Sequence, residues 1–140
     1  MRIKRYLLLM LVLSNFSFAE ESLDERFEEQ NQRIEAAKQQ VSDSRREQII
    51  ARYMGLIKKQ VENSWRKPES TESRMSCDVY ALIALDGDVL KTEASNCTGD
   101  DEFKGSVEDA VRNAAPLPLP PNKSFFEHFR EITFEFRSKE

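Results

Sequence analysis

Asp86-Gly87 stands between two apolar runs, and a cysteine lies beyond the far end of each, Cys77 and Cys97. Asp-Gly flanked this way is among the strongest short-range hairpin signals, because both residues tolerate positive φ. A two-residue loop at Asp86-Gly87 sets Cys77 opposite Asn96; a three-residue loop through Asp88 sets it opposite Cys97. Either register, with a small bulge in the first, brings the sulfurs near bonding range. The expectation is a disulfide, Cys77–Cys97, stapling the open end of a β-hairpin. The alternative is a pair of buried free thiols, and the compartment decides between them.

The N-terminus speaks to the compartment. Residues 1–19 have the plan of a secretory signal: basic Arg2, Lys4 and Arg5, an apolar run over 7–13, and Ser17-Phe18-Ala19 before Glu20. The apolar run is shorter than the roughly 20 residues a membrane span needs, so cleavage is expected over retention as an anchor in the inner membrane. No cysteine follows it to carry a lipid. Export to the oxidising periplasm favours the disulfide. The formal net charge of −4 lacks the basic footprint of a nucleic-acid binder.

Residues 20–48 are expected to form a helical stalk. Leu23, Phe27, Ile34, Ala37 and Val41 keep a 4-3 rhythm, with Gln30 on the missing beat. Fewer than three clean heptads make a solvated single helix the first expectation and a dimerising seam the second. The rhythm lapses over 42–46, and a second helix is expected from about Gln48. Ile50, Met54, Ile57, Val61 and Trp65 form its wider stripe, ending before Pro68. Residues 49–140 are then one folded domain.

Strand one of the hairpin is apolar on both faces, with Val79, Ala81, Ile83 and Leu85 on one and Tyr80, Leu82 and Ala84 on the other, while strand two is half polar, with Lys91 and Glu93 on one side; helices on one face and a partial cover on the other are expected. The run Thr98-Gly99-Asp100-Asp101 supplies cap chemistry for a short helix marked by Phe103, Val107, Ala110, Val111 and Ala114. The run Pro116-Leu117-Pro118-Leu119-Pro120-Pro121 must be extended, as a stiff cover over the domain or as a ligand for another protein's groove. Ile132, Phe134 and Phe136 alternate with polar neighbours, the pattern of a strand with one buried face. Helix, strand, strand, helix, strand gives an α+β domain: a three-stranded antiparallel sheet with packed helices.

Several stretches in this order resemble the TolA C-terminal domain family. They are Tyr53-Met54-Gly55-Leu56-Ile57, Trp65-Arg66-Lys67-Pro68, Cys77 opening a strand, Asp86-Gly87, and Cys97-Thr98-Gly99-Asp100. The helix from Ser106 to Val111, the segment from Ala115 to Pro120 and the close from Phe129 to Phe136 continue the match. No single motif is diagnostic; their order and spacing carry the likeness. The resemblance implies the same three-stranded fold, shared with the end of TonB. It implies membership of the Tol-Pal envelope system and contact with TolB. It also implies exploitation by colicins and filamentous phage coat proteins. The TolA plan has a transmembrane helix and a very long helical middle. Here those positions hold the expected signal and a helix of roughly 40 Å at 1.5 Å per residue.

No catalytic constellation is visible. His128, the one histidine, sits among phenylalanines and is expected to pack or end a helix, since a general base needs an oriented partner. No metal-ligand spacing or phosphate loop is present, and no cofactor or small-molecule substrate is expected. The carboxylates lie in mixed-charge runs that read as solvated faces. Protein binding at a sheet edge is the better expectation, because an open sheet offers unpaired N–H and C=O groups. Ile132, Thr133, Phe134, Glu135 and Phe136 are the candidate partner-binding strand. Three roles fit: a TolB-engaging module, a decoy that captures colicin or phage segments, and an oligomerising envelope protein.

Overall fold

The structure is a computed structural model. It describes the backbone of residues 3–69, 71 and 74–138, and the side chains of that set from residue 23 on. The signal-like segment 1–19 therefore falls outside the described side chains. Among the described residues no helix is long and apolar enough to cross a membrane. The chain divides into two compact units, Met1–Arg45 and Arg46–Glu140.

One helix, α1, runs through Ile3–Ser64 where two are expected from the sequence. The apolar rhythm does lapse over 42–46, but no glycine or proline interrupts the backbone there, and the residues present cost only tenths of a kcal/mol each in a helix. Gln39 Nε2 donates to Asp43 Oδ1 at 3.1 Å across the lapse. In the first unit Leu23, Phe27, Ile34 and Val41 are all exposed. Pairs such as Arg33–Glu29 and Lys38–Glu35 lie on the surface and contribute tenths of a kcal/mol.

The second unit is built on a three-stranded antiparallel sheet. Its strands are β1 (Ser76–Ile83), β2 (Val89–Thr98) and β3 (Glu131–Arg137), in the order β2-β1-β3. Helix α2 (Asp101–Asn113) and the end of α1 cover one face. Cys77, Val79, Ala81 and Ile83 of β1 and Ile132, Phe134 and Phe136 of β3 are buried on that face, with Ile57 and Val61 of α1 and Phe103, Val107, Ala110 and Val111 of α2. On the other face of β1, Asp78, Tyr80 and Leu82 are half-buried, the partial cover expected from the sequence. Among the described residues no helix packs on that face, where Tyr80 is flanked by Glu93 and Thr133 of the neighbouring strands.

The hairpin turn is offset from the expected one. The Ala84 N–H donates to the Asp88 carbonyl and the Gly87 N–H to the Ala84 carbonyl, so the loop is Leu85-Asp86-Gly87. Gly87, at φ +92, takes the left-handed position, as a three-residue hairpin loop requires. Leu85 thereby leaves the buried row and is 49% exposed. Past the turn, the register shifts between the Leu82↔Lys91 and Ile83↔Val89 pairs, leaving Leu90 as an exposed bulge. Gly87 also meets the proline-rich segment closely: its carbonyl accepts the Leu117 N–H at 2.8 Å. A Cβ there would stand 2.3 Å from the Leu117 carbonyl oxygen.

The proline-rich segment is a cover. Leu117 is buried, and Gln60 Nε2 of α1 donates to the carbonyls of Ala114 and Pro116. A 3-10 helix, Lys123–His128, then leads through buried Phe129 into β3. Helix α2 starts within the run expected to cap it, and Asp100 is the residue that does so: its Oδ1 accepts the Phe103 N–H at 2.8 Å. Asp100→Ala is expected to cost about 1 kcal/mol, read as a lower urea midpoint at unchanged m-value.

Candidate functional site

Cys77 and Cys97 are joined by a disulfide with Cα atoms 4.1 Å apart. Ser76 pairs with Thr98 and Asp78 with Ser95, so Asn96 and Cys97 together oppose Cys77. Asn96 takes the bulge at φ +51, and its Nδ2 donates to Asp78 Oδ2 at 2.9 Å. The staple thus closes the end of β1 and β2 remote from the turn.

The sheet has two outer strands. Strand β2 is irregular at both ends, at Leu90 and at Asn96, and bulges blunt an edge against further pairing. Strand β3 pairs with β1 without a register break. The Ile83 N–H donates to the Arg130 carbonyl and the Ser138 N–H to the Met75 carbonyl, each at 2.8 Å. Given the antiparallel alternation, Ile132, Phe134 and Phe136 direct their backbone groups to β1. Glu131, Thr133, Glu135 and Arg137 direct theirs to the free edge. Of the five residues expected to bind a partner, only Thr133 and Glu135 therefore offer backbone hydrogen bonds outward. Ile132, Phe134 and Phe136 hold the strand in place through the core.

A groove of about 700 Å³ runs beside this edge. Its second wall is the end of α1, including Met54, Gly55, Lys58, Val61 and Trp65. Tyr53 meets Phe129 edge-on at 6.5 Å and Trp65 meets Phe136 at 5.4 Å, so α1 runs alongside β3 in the same direction. The Trp65 indole N–H is satisfied by Ser106 Oγ at 3.1 Å. The groove is apolar within and charged at its rim, where Lys58 pairs with Glu62 at 3.9 Å. Arg137 pairs with Glu135, and that hydrogen bond and charge hold the guanidinium even more firmly protonated than usual. On the open sheet face, burial and then the Glu131 carboxylate push the Tyr80 phenol above its ordinary value.

The helix wall is what sequence reasoning missed. The stripe of Met54, Val61 and Trp65 signals a core-facing helix, but not that it stops short of covering the outer edge of β3. His128 is exposed at the end of the 3-10 helix and lies outside the groove lining. Among the described residues no cluster of three or more His, Cys, Asp or Glu could hold a metal ion.

The fold is thus an open α+β sheet with a regular free edge beside a helix-walled groove. Residues 50–136, more than half of the chain, match the family described as TonB C terminal, and the chain belongs to that family. The Tol-Pal system protein TolA of Pseudomonas aeruginosa is 30% identical over 88 residues, which cover 61% of this chain and 25% of TolA. The chain thus spans about a quarter of that relative. The solution structure of TolAIII bound to a peptide derived from the N-terminus of TolB is also 30% identical, with a TM-score of 0.53. It matches over 61% of this chain and 72% of its own. The TolA-like C-terminal domain expected from the sequence is therefore present.

Proposed function

We propose that this domain binds a protein partner by taking an extended segment of it as a fourth strand on β3, with α1 as the wall of the groove. The carrying observation is the run of outward backbone groups at Glu131, Thr133, Glu135 and Arg137 along an unbulged edge. Backbone pairing supplies affinity, and alternate side chains in the groove supply selectivity. The bound peptide in the solved TolAIII complex supports a TolB segment as the partner. Colicin or phage coat segments would use the same edge. The reading is of a non-enzymatic module with residues 1–19 as signal, 20–48 as stalk and 49–140 as binding domain, working in the periplasm. The disulfide supports that compartment. A second reading, self-association through the stalk, draws on the exposed row of Leu23, Phe27, Ile34 and Val41.

The test is Thr133→Pro. It removes an outward N–H and places a ring on the free edge, where proline is tolerated within a sheet. The TolB N-terminal peptide is titrated into both proteins. The substituted domain is expected to keep its near-ultraviolet circular dichroism and lose about tenfold or more in affinity. A folded Thr133→Pro protein that binds equally well would overturn strand addition. Phe134→Pro does not discriminate, because its N–H belongs to the β1 ladder.

A further inference from the structure

Gly55 lies in the interior of α1, where glycine is among the poorest helix formers. The fold gives no reason for it. Gly87 is the glycine with positive φ among the described residues, and a Cβ added at Gly55 would meet no heavy atom within 4 Å. Neither a turn nor a close approach within the domain asks for a missing side chain at this position.

The groove does give a reason. Met54, Val61 and Trp65 form the inner row of the helix wall, at helical spacing. Gly55, Lys58 and Glu62 form the outer row, and Gly55 is the gap in it. Because Tyr53 sits by Phe129 and Trp65 by Phe136, the gap lies near the start of β3. A strand added to β3 runs about 4.8 Å outside it, with every second side chain turned to the helix. A side chain at position 55 would stand in the path of one of them.

We propose that Gly55 determines specificity. It admits one bulky apolar side chain of the incoming strand onto the bare helix backbone beside Met54, so the groove selects extended segments with a large apolar residue at that helix-facing position. Met54 beside the gap and Ile132 across the groove are apolar and match such a side chain. This inference rests on the strand-addition reading.

Gly105 provides the control. It too lies within a helix, α2, a Cβ there would also meet nothing within 4 Å, and it does not line the groove. The purified chain, Gly55→Leu and Gly105→Leu are each titrated with the TolB N-terminal peptide and melted. Both substitutions are expected to leave the melting temperature unchanged or raise it by a few degrees, roughly 2–6 °C. Gly55→Leu is expected to bind about tenfold or more weakly and Gly105→Leu to bind as the unsubstituted protein does. Alanine at the peptide's matching apolar residue should weaken binding to the unsubstituted protein and make little difference to Gly55→Leu. Equal affinity of Gly55→Leu and the unsubstituted chain would overturn this inference alone. Absence of binding by the unsubstituted chain would overturn strand addition by this peptide and this inference with it.

Discussion

Phe103→Ala is expected to destabilise the folded domain by about 3–5 kcal/mol, measured as the loss of unfolding free energy in urea. Phe103 is fully buried, in the first turn of α2, and its ring meets the Trp65 indole edge-on at 6.0 Å. Its surroundings have little freedom to collapse into the cavity. A Cβ on Gly99 would lie only 2.9 Å from the Phe103 ring, so the chain already closes tightly on that side. On another side the Trp65 ring is held by its hydrogen bond to Ser106 and its contact with Phe136. The cost therefore combines lost transfer energy with an unrelaxed cavity. Against a typical domain stability of about 5–15 kcal/mol, that is a large fraction. Leu90→Ala is the contrasting case: Leu90 is 64% exposed on a bulge, and its loss should change stability by about 0.5 kcal/mol or less. A Phe103→Ala loss below about 1 kcal/mol would mean that α2 does not anchor the core as its burial indicates.

The place of Phe103 in the core is legible in the sequence, and the reason is periodicity. Phe103, Val107, Ala110 and Val111 recur at helical spacing behind Asp100, and the fold buries all four beneath that cap. Ile132, Phe134 and Phe136 are legible as a strand for the matching reason, a period of two. A lapse in the same signal is a poor guide to a boundary. Residues 42–46 lose their apolar partners but not their helix, because hydrophobic rhythm reports what a helix faces, whereas glycine and proline report where it ends. The hairpin is offset for a related reason. Asp86-Gly87 marks the turn, but Gly87 takes the left-handed position of a three-residue loop docked on Leu117. That choice depends on a contact with a segment 30 residues downstream.

The binding edge is half legible. The alternation identifies β3, and an outer strand follows from a short open sheet. Which residues turn their backbone outward depends on pairing with β1, and a shift of one residue exchanges the two sets. The groove depends on how α1 lies against β3, which no local pattern encodes. Gly55 illustrates the limit. In the sequence it is a glycine in a helical stripe, a mild blemish; its meaning comes from the unpaired edge beside it.

Removing the Cys77–Cys97 bond is expected to be the other large effect. Replacing both cysteines by alanine should cost roughly 3 kcal/mol by the chain-entropy account, for a bridge with a sequence separation of 20. For a domain of this size that corresponds to a melting temperature lower by about 12–24 °C. The hairpin itself remains defined by the Gly87 turn and by the β1–β2 ladder, so the folded sheet should persist. The loss then falls mainly on the unfolded chain, which gains the conformations that the closed loop had denied it. A larger m-value, from a more expanded denatured state, is the signature to look for in urea. Reduction of the unsubstituted protein with dithiothreitol should reproduce most of the shift. A double-alanine protein that melted within about 3 °C of the original would show that the bulge at Asn96 and the ladder hold the hairpin end without help from the sulfurs.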